Sequence, residues 1–193
     1  MCGRYSIADE EDLMEIRQIL HEVSQRYQNT SKLDQMKTGE IFPTNIAPIL
    51  IHTDGETVPD IFKWGFPRWD GKGVIINARA ETALEKPMFR ESLLVRKCII
   101  PTTGFYEWKS EEGTKTKYLF RIPNTSVLYL AGMFHGSEES FTILTTEANP
   151  SMSAYHNRMP VIIRHEELGD WLQNVDTSAF LNRIQPEVVG TLA

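Results

Sequence analysis

A chain of 193 residues that is 41% hydrophobic and 24% charged carries enough apolar material for a substantial core. Its net charge of −6 excludes broad, non-specific attraction to polyanions, so any nucleic-acid contact must rest on a local basic patch. Cys2 and Cys98 are too few for a disulfide framework or a four-ligand zinc site, and no apolar run of spanning length or signal-peptide pattern occurs, which points to a soluble protein of a reducing, cytosolic compartment with no membrane association.

The chain opens Met1-Cys2-Gly3-Arg4-Tyr5. Removal of Met1 would give Cys2 a free α-amine beside its thiol, a 1,2-aminothiol. Such a pair condenses with an aldehyde to a Schiff base and then closes a thiazolidine ring. An α-amine with a pKa of about 7.7–8.0 is partly neutral at pH 7 and is a better nucleophile than an ordinary lysine. A thiol needs a neighbouring cation to ionise, and Arg4 is the nearest in sequence. Taken alone, a cysteine at this position equally suits a frayed terminus.

Residues 9–28 read as a surface helix, with Asp9, Glu10, Glu11 and Asp12 in its first turn and an apolar stripe of Leu13, Ile16, Leu20, Val23 and Tyr27. Residues 29–40 read as polar loop. Pro43-Thr44-Asn45 and Pro48 punctuate an extended segment. Residues 47–53 and 57–64 form a hairpin around Asp54-Gly55. In Trp64-Gly65-Phe66-Pro67-Arg68-Trp69 one tryptophan reads as a core plug and the other as an exposed ring, a shelf for nucleobases beside Arg68.

A short strand at 73–76 leads into Asn77-Ala78-Arg79-Ala80-Glu81-Thr82, then a helix through Leu84, Phe89 and Leu93 that Pro87 interrupts. Residues 96–101 are a buried strand in which Cys98 is an inert core residue. Residues 104–109 and 118–122 pair through the turn at 111–113, and residues 127–134 and 141–146 are further strands, so the middle of the chain is a run of antiparallel strands. Pro150 to Tyr155 reads as irregular chain or a helical turn, residues 161–164 as a strand, and residues 166–172 and 178–184 as short terminal helices.

Four chemistry-bearing residues each have a cation two positions on: Cys2 with Arg4, Asn77 with Arg79, Glu107 with Lys109 and His156 with Arg158. In extended chain, positions i and i+2 share a face. Singly, His156 suits a satisfied core histidine, Glu107 a structural ion pair and Asn77 a cap. Jointly they match a family. Met1-Cys2-Gly3-Arg4-Tyr5, Pro43-Thr44-Asn45-x-Ala47-Pro48, Asn77 to Thr82, Cys98-Ile99-Ile100-Pro101-x-x-Gly104-Phe105-Tyr106-Glu107-Trp108 and His156-x-Arg158-Met159-Pro160 resemble, in order, the SOS-response-associated peptidase (SRAP) family.

The resemblance implies an α+β fold, one domain over residues 1–193 with a largely antiparallel, barrel-like β core and peripheral helices. It implies a sensor of abasic sites in single-stranded DNA that forms a thiazolidine crosslink through Cys2, with Asn77 positioning the aminothiol, Glu107 shuttling protons and His156 opening the sugar ring. Arg4, Arg79 and Arg158 would hold phosphates, and Pro43 and Trp69 would stack on bases or wedge the strand. No metal or small-molecule cofactor is implied, and a monomer that becomes nucleoid-associated on DNA is expected. Two other readings stay open: a thiol (auto)peptidase with a Cys2/His156/Glu107 site, and a non-catalytic reader of single strands.

Overall fold

The computed structural model describes residues 2–8 and 13–193. The acidic residues 9–12 expected in the first helical turn, and Met1, lie outside the described residues. Strand β1 (Arg4–Ile7) opens the chain and helix α1 (Met14–Arg26) follows. The helix buries Ile16, Ile19 and Val23, with Leu20 only half-buried, so Ile19 joins the expected stripe. Its end is tied down at the buried Asp60, which pairs with Arg26 at 3.5 Å and accepts the Tyr27 hydroxyl.

The stretch expected as loop holds two short elements instead, α2 (Ser31–Gln35) and β2 (Gly39–Ile41). The Thr30 hydroxyl caps α2, accepting from the Leu33 amide at 3.4 Å. With only Ile41 buried, β2 is too short for its alternation to show in sequence. Strands β3 (Ile46–Thr53) and β4 (Glu56–Trp64) form the expected hairpin, with Asp54 and Gly55 at φ 52° and 84° as a two-residue turn requires.

A small ladder of β5 (Phe66–Pro67) and β6 (Val74–Ile75) follows. Gly65 is required here: its φ is 119°, and a Cβ would lie 2.6 Å from Val74 Cγ2. Next come β7 (Asn77–Arg79), α3 (Ala80–Ala83) and α4 (Pro87–Val95). Pro87 stands in the first turn of α4, so it starts a helix where an interruption was expected.

The rest of the chain alternates strands with short helices: β8 (Lys97–Thr102), β9 (Gly104–Glu111), β10 (Thr114–Arg121), β11 (Leu128–His135), β12 (Ser140–Glu147), α5 (Pro150–Ser153), β13 (Arg158–Pro160), β14 (Ile162–Ile163), α6 (Leu168–Leu172), α7 (Thr177–Asn182) and β15 (Val189–Leu192). The C-terminal strand β15 pairs along β10 and was not expected.

One sheet runs β15-β10-β9-β1-β2 and is antiparallel throughout. The other runs β13-β12-β4-β3-β8-β11-β14, and a further β12–β11 pairing closes β12, β4, β3, β8 and β11 into a ring. This is the barrel-like core, with Ile49, Ile100, Leu130, Phe141 and Ile143 on one face of the ring, all fully buried. It is largely antiparallel as expected, but β12 runs parallel to β4 and to β7. The β7 pairing sets Asn77 beside Ile143 at the barrel's edge.

Candidate functional site

Cys2 is fully buried just ahead of β1. Its carbonyl accepts from Asn77 Nδ2 at 2.9 Å, and its thiol donates to the Arg4 carbonyl at 3.6 Å. Strand β7 is pinned from both sides at this point, because the Trp64 indole N–H donates to the neighbouring Ile76 carbonyl at 3.0 Å. Trp64 is the core plug anticipated from sequence. It is fully buried, stacked on Phe141 at 6.4 Å and met edge-on by Tyr5 at 5.1 Å.

Glu107 lies on the inner face of β9, which also carries the buried Phe105. Burial raises its carboxyl above the ordinary carboxylate value, opposed by the charge of His156 and a hydrogen bond from the Trp108 amide. Burial likewise pushes the Cys2 thiol far up, and the Glu107 charge adds to that rise. The resting thiol is therefore protonated, with a carboxylate nearby as the acceptor for its proton. Cys98 is also fully buried, its thiol raised by burial, which fits an inert core residue.

His156 is close enough for its charge to act on Glu107, because β9 and β10 pack under the segment that follows α5. Tyr118 lies opposite Glu107 in the ladder, and Tyr155 meets Tyr118 and Phe120 edge-on at 4.9 and 5.0 Å. His156 Nδ1 accepts the Arg158 amide at 3.0 Å and also faces the Arg158 carbonyl at 3.2 Å. A neutral ring with its proton on Nε2 satisfies the first contact, and a doubly protonated ring satisfies the second. Cys2, Asn77, Glu107 and His156, scattered over the sequence, belong to one neighbourhood.

The cations behave less uniformly than the i, i+2 pattern implies. Glu107 and Lys109 do share a face of β9, and Asn77 and Arg79 share a face of β7. Cys2 and Arg4 do not, since β1 begins only at Arg4. The Arg4 guanidinium sits 3.9 Å over the Phe42 ring and 3.5 Å from Glu40, so its backbone carbonyl rather than its charge meets the thiol.

Arg158 is held by a bidentate pair with Glu81 at 2.8 and 2.9 Å and by the Thr145 carbonyl at 2.5 Å. Lys109 pairs with Glu111 at 2.6 Å. Arg79 is exposed and, with Arg158, Ser153 and Asn157, lines a cavity of about 460 Å³.

Pro43 lies in a turn closed by the Asn45 amide on the Phe42 carbonyl at 3.0 Å, next to the ring that Arg4 covers. Trp69 is 88% exposed at the tip of the loop between β5 and β6. A bidentate Arg68–Asp70 pair at 3.2 and 3.1 Å stiffens that tip. Glu40, Glu81, Trp108 and Lys117 were absent from the sequence-based candidates. Glu81 and Trp108 stood inside the matched motifs, but nothing local marks Glu40 or Lys117.

Among the described residues, no helix is long and apolar enough to cross a membrane, and no group of three or more His, Cys, Asp or Glu is placed to hold a metal ion. The chain is similar to several known proteins. The abasic site processing protein YoaM of Bacillus subtilis is 34% identical over 171 residues, covering 76% of this chain and 75% of its own length. The abasic site processing protein YoqW of the same organism is 33% identical over 208 residues, covering 96% and 87%. A crystal structure from Bacteroides thetaiotaomicron superposes with a TM-score of 0.77 at 25% identity, covering 99% of this chain and 91% of that one. The profile of one family spans residues 1–189, taking in every segment that carries Cys2, Asn77, Glu107 and His156, and the chain accordingly belongs to the SOS response associated peptidase (SRAP) family.

Proposed function

We propose that this protein recognises abasic sites in single-stranded DNA and captures them covalently through Cys2, as one SRAP domain acting as a monomer. The observation that carries the reading is the burial of Cys2 beside Glu107, with its carbonyl fixed by Asn77. The names of the relatives, abasic site processing proteins, point to the same lesion.

The chemistry follows from the groups present. An abasic sugar is mostly a closed hemiacetal; the imidazolium form of His156 gives its Nε2 proton to the ring oxygen, the C1–O bond to that oxygen breaks, and the C1 hydroxyl loses its proton to water, leaving the aldehyde. With Met1 removed, the Cys2 α-amine adds to the aldehyde carbon, and loss of water leaves an iminium. The thiol, held neutral by burial, then adds its sulfur to the iminium carbon. Its proton passes to Glu107 and a thiazolidine ring closes. Asn77 sets the angle at which amine and thiol are presented. Arg79 and Arg158, around their shared cavity, and Arg4 at the outer edge oppose the strand's phosphates without reading sequence. Trp69 and Pro43 offer surfaces for flanking bases.

The peptidase reading is weaker on one point: burial raises the Cys2 thiol and disfavours the thiolate that a thiol protease needs. The test incubates purified protein with single-stranded DNA bearing one abasic site, reads the denaturation-resistant band, and checks the N-terminus by mass spectrometry. Protein lacking Met1 forms the band and Cys2→Ser loses the thiazolidine. A band of equal yield from protein that retains Met1 overturns the aminothiol mechanism.

A further inference from the structure

Strand β9 is two-sided. Its inner face carries Phe105 and Glu107, and its outer face carries Tyr106 and Trp108. Register extends that outer face across the sheet, with Arg4 opposite Tyr106, Lys117 opposite Trp108, and Glu40 opposite Ser6, which lies two residues on from Arg4. The Lys117 ammonium lies 4.1 Å over the Tyr106 ring and 5.9 Å from the Trp108 ring, while the Arg4 guanidinium is 3.9 Å over Phe42 and 5.9 Å from Trp108. Between the two cations lies one carboxylate. Glu40 accepts Lys117 Nζ on both oxygens, at 2.8 and 2.7 Å, and stands 3.5 Å from Arg4 Nε.

This arrangement is a poor fastener for the fold. Lys117 on β10 and Glu40 on β2 are separated by two intervening strands, β9 and β1. Three strand spacings are about 14 Å, so both side chains must extend toward each other across the aromatic rings. Such a partly exposed pair between long side chains gains little after the loss of rotamer freedom, and it is screened by salt. What the geometry does define is a position where an anionic oxygen group meets one ammonium and one guanidinium above a row of rings.

We infer that the outer face of β1, β2, β9 and β10 is a second phosphate subsite for a nucleic-acid strand, formed by Lys117 and Arg4, with Glu40 occupying it as a carboxylate stand-in. The inference rests on the proposed function for the identity of the strand, and Arg4 joins the two sites. Glu40 makes the site selective. A phosphodiester must displace the carboxylate before it gains the two cations, so intact strands bind weakly, and a strand anchored by its abasic sugar holds a phosphate near the site long enough to exchange. In a protein of net charge −6 this internal competitor keeps undamaged single strands from accumulating.

The experiment measures binding of a fluorescein-labelled oligothymidylate without lesions by anisotropy, over a series of sodium chloride concentrations. Glu40→Gln frees both cations. It binds roughly two- to tenfold tighter than wild type at low salt, and its slope of log K against log salt is steeper by about 0.7–1.4. Lys117→Gln, which does not depend on how Glu40→Gln folds, is read on an abasic oligonucleotide, the strand that exchanges with Glu40, where the slope of log crosslinking rate against log salt is shallower than wild type by about 0.7. The double variant gives back about half of the gain of Glu40→Gln. Unchanged slopes in both single variants, with wild-type melting temperatures, overturn the subsite.

Crosslinking of wild-type protein to an abasic oligonucleotide is run in parallel. Crosslinking with unchanged slopes sinks the subsite alone. A shifted Glu40→Gln slope with no crosslinking sinks the covalent reading and leaves the subsite standing.

Discussion

Asn77 Nδ2 lies 2.9 Å from the carbonyl oxygen of Cys2, a contact across 75 positions of sequence that joins β7 to the chain's first described residue. The bond goes to the main chain, so it fixes the whole residue, amine and thiol alike, instead of steering the sulfur alone. Since β7 is itself held by Trp64 and by its parallel pairing with β12, the N-terminus is referred to the barrel.

Asn77→Ala therefore acts on geometry. It removes one hydrogen bond, expected to lower stability by only about 1 kcal/mol. It also lets the terminus move, and a loss of alignment at a reacting centre slows crosslinking by about a hundredfold. Single-turnover crosslinking and thermal melting on the same preparation separate the two effects. A variant with wild-type rate and lowered melting temperature would assign Asn77 to the fold alone.

Glu107→Gln tests the buried carboxyl. Because burial raises its value above the ordinary 4.5, the folded protein keeps a proton where the unfolded chain has released it, and this group makes stability fall as pH rises through that range. The glutamine variant lacks the penalty. It should melt above wild type at pH 7, with the difference closing as pH approaches 4, and its crosslinking should drop by about a hundredfold or more. Melting below wild type at pH 7 contradicts the burial argument.

Lys97 is a second buried ionisable group, on β8. Its amine reaches Thr177 Oγ1 at 2.5 Å and the Trp171 ring at 4.4 Å, with no carboxylate in ion-pair range among the described residues. Burial lowers its pKa from 10.5 to about 8. The unfolded chain then binds more protons between those values, so this residue makes stability rise from pH 8 towards 10.5. Lys97→Met, similar in length and uncharged, should raise the melting temperature at pH 7 by a few degrees, at about 2–4 °C per kcal/mol, and flatten the alkaline rise. A lower melting temperature would mean that the bonds to Thr177 and Trp171 outweigh the cost of burying the charge.

Trp69 and Arg158 separate contact from support. Trp69→Ala, at a site 88% exposed, should leave stability within about 0.5 kcal/mol of wild type and weaken single-strand binding by about 1–3 kcal/mol. Arg158→Lys keeps the charge but breaks the two-pronged pair with Glu81. It should lower the melting temperature and slow crosslinking by displacing the backbone that orients His156. Unaltered stability in Arg158→Lys would leave Arg158 as a phosphate contact only.

Some of this was legible one residue at a time. Asp54-Gly55 and Glu112-Gly113 announce their hairpins because both residues of each turn must take positive φ, at 52° and 84°, and at 47° and 83°. The helix at α1 follows from apolar spacing, and the buried strand at β8 from its apolar run. The motif order alone named Cys2, Asn77, Glu107 and His156 as a set. These signals are local: each depends on the conformational preferences of a few consecutive residues, or on residue types at short spacing.

What only the tertiary structure decided involves pairs far apart in the chain. Arg4 faces Glu40 and Phe42 rather than the thiol two residues before it, because strand geometry begins only at Arg4 and leaves Cys2 and Gly3 outside it. Arg158 is claimed by Glu81, and Lys117 by Glu40, each across 77 positions. The parallel docking of β7 on β12, and β15 on β10, likewise has no sequence period of its own. Which strand edges meet is set by burying complementary faces against the entropy of closing long loops, a balance struck over the whole chain.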